Sequence, residues 1–236
     1  VTGEFMRRTP RARLQNSEQL PHPIAAAKRP WDARLAHSLV TPLKDSWVTP
    51  NHLTTMRLCV GLAAAAAFTP GTYGWSNVAA LLLFLSNFLD HADGELARIS
   101  GKSSRIGHLY DIASDAAVTI LTFVAMGVGV AATPEIDLEL SPALLGAISG
   151  TAIALIFLLR MRIEEVLGKT ATRQAHFAGF ETEDVLYLLP LVTLCNGMAP
   201  FLLAASICAP LFAAWVAIDY WGALRRVRRV PRGVAG

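Results

Sequence analysis

Four aspartates set in otherwise apolar sequence constrain this chain more than any other feature. Asp90 and Asp93 close a run that begins Asn77-Val-Ala-Ala-Leu-Leu-Leu-Phe-Leu, and Asp111 and Asp115 open one that continues Ala116-Ala-Val-Thr-Ile-Leu-Thr-Phe-Val-Ala. The members of each pair are three and four residues apart, so on helices each pair projects from one face. The stretch Ser100-Gly101-Lys102-Ser103-Ser104 is short enough to predict two antiparallel neighbouring helices, on which the four carboxylates converge. An acidic side chain at mid-bilayer costs roughly 2.5–3.5 kcal/mol on insertion scales. Four together also repel one another, so the cluster calls for neutralising cations. All-oxygen ligation beside phosphate groups suits Mg²⁺ or Mn²⁺, as two ions on Asp90, Asp93, Asp111 and Asp115. The competing reading has the carboxylates solvated at a helix end or paired with Arg98 and Arg105.

Composition agrees with a membrane setting. Of 236 residues 53% are hydrophobic and 17% charged, which predicts a one-domain, all-α integral membrane protein, with no nucleic acid among its partners. Cys59, Cys195 and Cys208 sit in apolar segments without paired spacing, which argues against a disulfide framework or a zinc site.

Residues 1–30 read as a flexible basic arm, in which Val1-Thr-Gly-Glu-Phe before Met6 resembles a cloning remnant. Over residues 31–46, Trp31, Leu35, Leu39, Val40 and Leu43 recur at helical spacing and predict an amphipathic juxtamembrane helix on the cytoplasmic membrane surface. Packing of that helix on cytosolic loops is the alternative. Residues 47–226 are expected to hold six transmembrane helices and the catalytic site, and residues 227–236 a basic tail. The first span opens with Thr49 as N-cap and Pro50 at the first helical position, and runs to about Phe68. The second is predicted from Ser76 to about Ile99, the third from about Gly107 to Ala131, and the fourth from Ser141-Pro142 past Leu159 into water. A fifth begins near Thr182 with Pro190 as a kink, and a sixth follows Pro200 and ends at Tyr220-Trp221.

The basic residues orient these helices. All 21 Lys and Arg fall before helix one, inside it at Arg57, at or just past the ends of helices two and four, or over residues 225–232. By the positive-inside rule both termini and the aspartate hairpin face the cytoplasm, in the plasma (inner) membrane. Asp90 then lies about 13 Å in from Ile99, where a lipid head group and a water-soluble substrate can meet. Such a metal site implies a substrate with phosphate oxygens and a lipid tail, and metal-assisted phosphoryl transfer as the reaction. Arg98 is placed to neutralise a diphosphate or to snorkel to head groups. Gly94, with Ala97 one turn on, leaves a flat gap where a ring can lie against the helix.

The spacing Asp-x2-Asp-Gly-x2-Ala-Arg-x8-Gly-x3-Asp-x3-Asp, complete here from Asp90 to Asp115, resembles the signature of the CDP-alcohol phosphotransferases. The resemblance implies that Gly94 and Ala97 border a cytidine, that Arg98 meets the diphosphate, and that Asp115 is the general base as well as a metal neighbour. It implies close approach of helix three to helix two at Gly107. It also implies nucleotide contact from Asn51 and Thr54 in Pro50-Asn51-His-Leu-Thr54, and a hydroxyl near the phosphates from Ser104. A homodimer is expected from the family and from Gly127, Gly129, Gly146 and Gly150 on helices three and four. Relatives that use phosphorylated acceptors often carry Arg or Lys after the last aspartate, where this chain has Ala116 and Ala117.

Three functions stay open at this point. The first transfers a phosphatidyl group from CDP-diacylglycerol to a small alcohol acceptor with release of CMP, in contact with membrane lipids. The second, a choline- or ethanolamine-type reaction, takes a soluble CDP-alcohol and diacylglycerol. The third is a transporter or cation-binding scaffold whose aspartates line an ion path.

Overall fold

The computed structural model describes residues 31–102, 104–133, 140–167 and 188–229, and every regular element among them is helical. α1 (Trp31–Val40) and a short 3-10 turn (Thr41–Leu43) precede α2 (Pro50–Phe68), α3 (Tyr73–Ser100) and α4 (Arg105–Ala131). α5 (Pro142–Leu167), α6 (Leu189–Leu194) and α7 (Met198–Arg229) follow.

Local chemistry fixes the helix ends. Thr49 is the N-cap of α2, its backbone N–H donates to His52 Nδ1 at 3.1 Å, and Pro50 stands where a missing N–H costs nothing. α3 ends on Gly101, whose φ of 67° is the left-handed conformation that glycine adopts without a Cβ clash. α4 starts on Ser104, whose hydroxyl oxygen accepts from the Gly107 N–H at 3.0 Å. α3 begins at Tyr73 rather than Ser76, and α7 at Met198 rather than after Pro200; in α7 the proline stands in the first turn, where it forfeits no hydrogen bond.

Three stretches, Arg105–Ala131, Pro142–Ile163 and Met198–Gly222, are long and apolar enough to cross a membrane. α2 and α3 are not among them, since these two helices carry Arg57 and the first aspartate pair along with other polar residues. The expected start of a fifth span at Thr182 lies outside the described residues. Pro190 stands in the first turn of the short α6, rather than as a kink within a described span.

The packing order corrects one expectation. α3 and α4 do not lie against each other among the described residues; α2 packs on both. A short turn makes two helices close at one end only, and here the buried face of α2 fills the wedge. That face runs Thr54, Arg57, Gly61, Ala64, Ala65, Phe68. Its alanines and Phe68 meet Ala79, Ala80 and Leu83 of α3 and Val118, Phe123 and Met126 of α4 in one cluster. A Cβ on Gly61 would stand 2.7 Å from Val118. Helices in lipid gain from such close approach, since lipid tails are as apolar as the side chains themselves. α5 packs on α4 and α7 on α5.

The glycines offered for a dimer are used within the chain. Gly127 and Gly146 stand against backbone of the facing helix, α5 and α4 respectively, and a Cβ on Gly150 would lie 2.9 Å from the Ile120 Cα. Gly129 faces Phe68 and Gly71 at the other end of α2. Small residues let backbones approach, and the neighbouring helix of the same chain takes up that freedom first.

α1 rests on the end of the hairpin. Ala36 and Val40 are buried with Leu53, Ala92 and Leu96, whereas Leu35 and Leu39 of the predicted apolar stripe are exposed. The helix therefore has two apolar edges, one spent on α2 and α3. Lys102 Nζ donates to the Ser46 carbonyl at 2.6 Å and ties the α3–α4 turn to the segment after α1.

Candidate active site

Arg57 organises the aspartates. It projects from the middle of α2 between α3 and α4 and is 3% exposed. Its Nη1 donates to Asp90 of α3 and, at 2.6 Å, to Asp115 Oδ1 of α4. Nη2 reaches both Asp111 Oδ1 and the Asp111 carbonyl at 3.2 Å. The carboxylates thus converge across α2 instead of between adjoining helices. Arg57 belongs to the site although it stands outside the aspartate motif and counts, in the sequence, only toward the charge pattern. A signal was available: a lone arginine in an uncharged helix, three residues after Thr54 and so on the same face, needs a buried acidic partner.

The four carboxylates are not equivalent. Asp93 is 4% exposed and accepts from Thr54 Oγ1 at 2.8 Å. The Asp111 and Asp90 side chains are 33% and 37% exposed, and Asp115, at 50%, is the most open. One ligand oxygen from each of Asp90, Asp93 and Asp111 lies within 4.8 Å of the others. Among the described residues the Arg57 guanidinium pairs with Asp90, Asp111 and Asp115, and hard oxygen donors that outnumber it fit a divalent cation of the Mg²⁺ class.

The other predicted residues are placed as follows. Thr54 spends its hydroxyl on Asp93 and the Pro50 carbonyl, so it holds a carboxylate rather than facing open space. Gly107 is approached by Asn51 of α2, not by α3: a Cβ there would stand 2.6 Å from Asn51 Oδ1. Ser104 serves as the α4 cap. Gly94 is exposed with nothing within 4 Å of a would-be Cβ, and half-buried Ala97 continues that open surface. Arg98 is exposed and forks onto Glu95, with Nε to Oε2 at 2.8 Å and Nη2 to Oε1 at 2.5 Å. His37 Nδ1 of α1 lies 2.5 Å from the same Oε1. An exposed pair three residues apart is weak, which leaves Arg98 available to a stronger anion.

Beside the cluster a cavity of about 460 Å³ opens between α3 and α5, floored by α4. Arg57, Asp90 and Asp115 form its polar end; Leu83, Val118, Phe123, Leu155 and Leu158 line its apolar length. A molecule filling it would have a charged head and an apolar body.

A profile of the CDP-alcohol phosphatidyltransferase family matches residues 47–221. The chain belongs to this family. Among curated proteins it is similar to cholinephosphotransferase 1 of Danio rerio, 37% identical over 90 residues, which cover 35% of this chain and 23% of that protein.

Proposed function

We propose that the chain transfers a phosphatidyl group from CDP-diacylglycerol to a small alcohol, releasing CMP. The observation that carries this reading is the continuity of the aspartate cluster with the apolar α3–α5 cavity, which has room for a glycerol backbone and the first carbons of its acyl chains while the phosphate reaches the polar end. The cytidine lies along Gly94 and Ala97, and Arg98 turns from Glu95 to the diphosphate. Asp93, held by Thr54, and Asp90 and Asp111, held by Arg57, hold divalent cations. Bound there, the cations supply charge neutralisation of the diphosphate and of the leaving CMP. Asp115 takes the proton of the acceptor hydroxyl, whose oxygen bonds to the β-phosphorus as the bond from that phosphorus to the oxygen of CMP breaks. Its greater exposure suits a group that must meet a diffusing alcohol. Arg57 holds Asp115 in place through Oδ1.

The likeness to a cholinephosphotransferase favours a second reading, in which the cavity holds diacylglycerol as acceptor and the donor is a soluble CDP-alcohol. The decisive assay supplies purified protein with Mg²⁺ and either CDP-diacylglycerol plus a panel of alcohols, or CDP-choline plus diacylglycerol. CMP release only in the first arm supports the first reading and only in the second arm the alternative. Release in neither overturns both.

A further inference from the structure

Beyond the aspartates the cavity carries a collar of uncharged polar side chains, one from each of three helices. Asn87 of α3, Thr119 of α4 and Thr151 of α5 all line it. Asn87 is half-buried and Thr151 exposed, so both are open to an occupant. None of the three has a hydrogen-bond partner among the described residues. A mid-helix hydroxyl can turn back to the carbonyl four residues earlier, as Ser114 does to Tyr110 and Ser149 to Leu145, each at 2.8 Å. The collar keeps its donors for the cavity instead. An amide set in a largely apolar wall is unfavourable unless an occupant completes its bonds.

Helix geometry places the three at nearly one depth. Arg57 Nη1 bonds both Asp90 and Asp115, which levels those two residues across the site. Asn87 stands three residues before Asp90 and Thr119 four after Asp115, so both lie farther from the α3–α4 turn than the aspartates, by about 4.5 Å and about 6 Å along their helices. Gly150 packs on the α4 backbone at Ile120, which brings Thr151 to the same level. Deeper still, seven and eight residues from the aspartates, come Leu83 and Phe123. Along α3 and α4 the wall thus runs from charged through neutral polar to apolar. A glycerolipid runs in the same order, from phosphate or reacting hydroxyl through ester-bearing glycerol to acyl chain. Its ester carbonyls only accept hydrogen bonds, and the Asn87 amide brings two N–H donors.

We propose that this collar is the subsite for the glycerol backbone of the lipid, and that Asn87 is its specificity-determining residue, donating from Nδ2 to an ester carbonyl oxygen. The inference rests on the proposed lipid occupancy of the α3–α5 cavity and holds whether that lipid is donor or acceptor. An ether analogue of equal chain length keeps the tails and loses the carbonyl, which leaves the Asn87 amide unsatisfied. Asn87 shares a face of α3 with Asp90 yet bonds none of the aspartates, so its effect falls on lipid binding and not on the metal ligands.

The test compares dioleoyl lipids with their dioleyl ether analogues, as the CDP-activated donor and as the neutral glycerolipid acceptor, in detergent micelles at varied lipid mole fraction and varied Mg²⁺. In whichever arm turns over, the wild-type KM for the ester should be threefold to tenfold lower, roughly the worth of one hydrogen bond, with little change in kcat. In Asn87→Leu, which keeps the bulk of the side chain, the ester-to-ether ratio falls to about one while the half-saturating Mg²⁺ concentration stays at the wild-type value. Should that variant fail to fold, Thr151→Val decides in its place: a lowered ratio supports the subsite and an unchanged ratio overturns it. Equal shifts for both lipids give Asn87 a structural role, a moved Mg²⁺ midpoint a role toward the aspartates, and a raised KM for the soluble co-substrate alone a role toward that molecule; each overturns the proposal. So does a wild-type enzyme indifferent to the carbonyl. CMP release from neither lipid in either arm overturns the reading of the function and this inference with it.

Discussion

Arg57 Nη1 stands 2.6 Å from Asp115 Oδ1 and bonds Asp90 with the same nitrogen, so one buried guanidinium spans the two helices that carry the aspartates. Arg57→Met keeps the bulk of the side chain and removes the charge. Breaking a buried ion pair costs about 3–5 kcal/mol, and the lower end applies because Asp90 and Asp115 retain 37% and 50% exposure. The variant should melt well below wild type in EDTA, and added Mg²⁺ should narrow the gap by supplying the missing positive charge. Equal melting temperatures in EDTA would show that Arg57 is not the counter-ion.

Thr54 gives Asp93 its hydrogen bond at 2.8 Å in a site closed to water. Thr54→Val leaves a buried carboxylate oxygen without that donor, at a cost of about 1–3 kcal/mol. The half-saturating Mg²⁺ concentration for CMP release should rise, while Thr54→Ser stays near wild type. If valine leaves the Mg²⁺ titration unmoved, Thr54 does not position the ligand.

Asp115→Asn and Asp93→Asn should fail in different ways. Asparagine keeps the shape of aspartate without its charge or its capacity to accept a proton. Asp93→Asn should lose metal affinity and recover part of its turnover at raised Mg²⁺. Asp115→Asn should lose a factor of roughly 10²–10⁴ in turnover that no Mg²⁺ concentration restores, with donor binding retained. Wild-type turnover should vanish in excess EDTA and return with Mg²⁺ or Mn²⁺. Recovery of Asp115→Asn at high Mg²⁺ would reduce that residue to a ligand.

Gly150 meets the α4 backbone, so Gly150→Leu overpacks an intrachain contact. The expected loss is about 1–3 kcal/mol of stability, read as a lower melting temperature. A variant that melts normally but changes its oligomeric state on sizing would move this glycine to a subunit interface.

The start of α2 was legible because capping is local. Thr49 and Pro50 act within a turn of where they stand, whereas Ser104, expected near phosphates, caps α4. The aspartate cluster was legible for a similar reason, since spacings of three and four fix a helix face. What packs against that face is not a local property. Asp90 and Asp115 flank a short turn, yet the group between them is Arg57, more than thirty residues before either. The glycines of α4 and α5 announced close contact without naming the partner. The cavity arises where α3 and α5 stand apart over α4, which no single segment encodes.

Arg57 also sets an order of assembly. α2 leaves the ribosome before α3 and α4, so the guanidinium is committed to its helix before any of Asp90, Asp111 or Asp115 exists. A buried guanidinium without its acidic partners is an uncompensated charge, which is costly in an apolar setting. α2 is thus poorly settled on its own and is completed only when the aspartate hairpin arrives to receive it. The residue that steadies the finished site makes the first half of the chain a single unit of biogenesis.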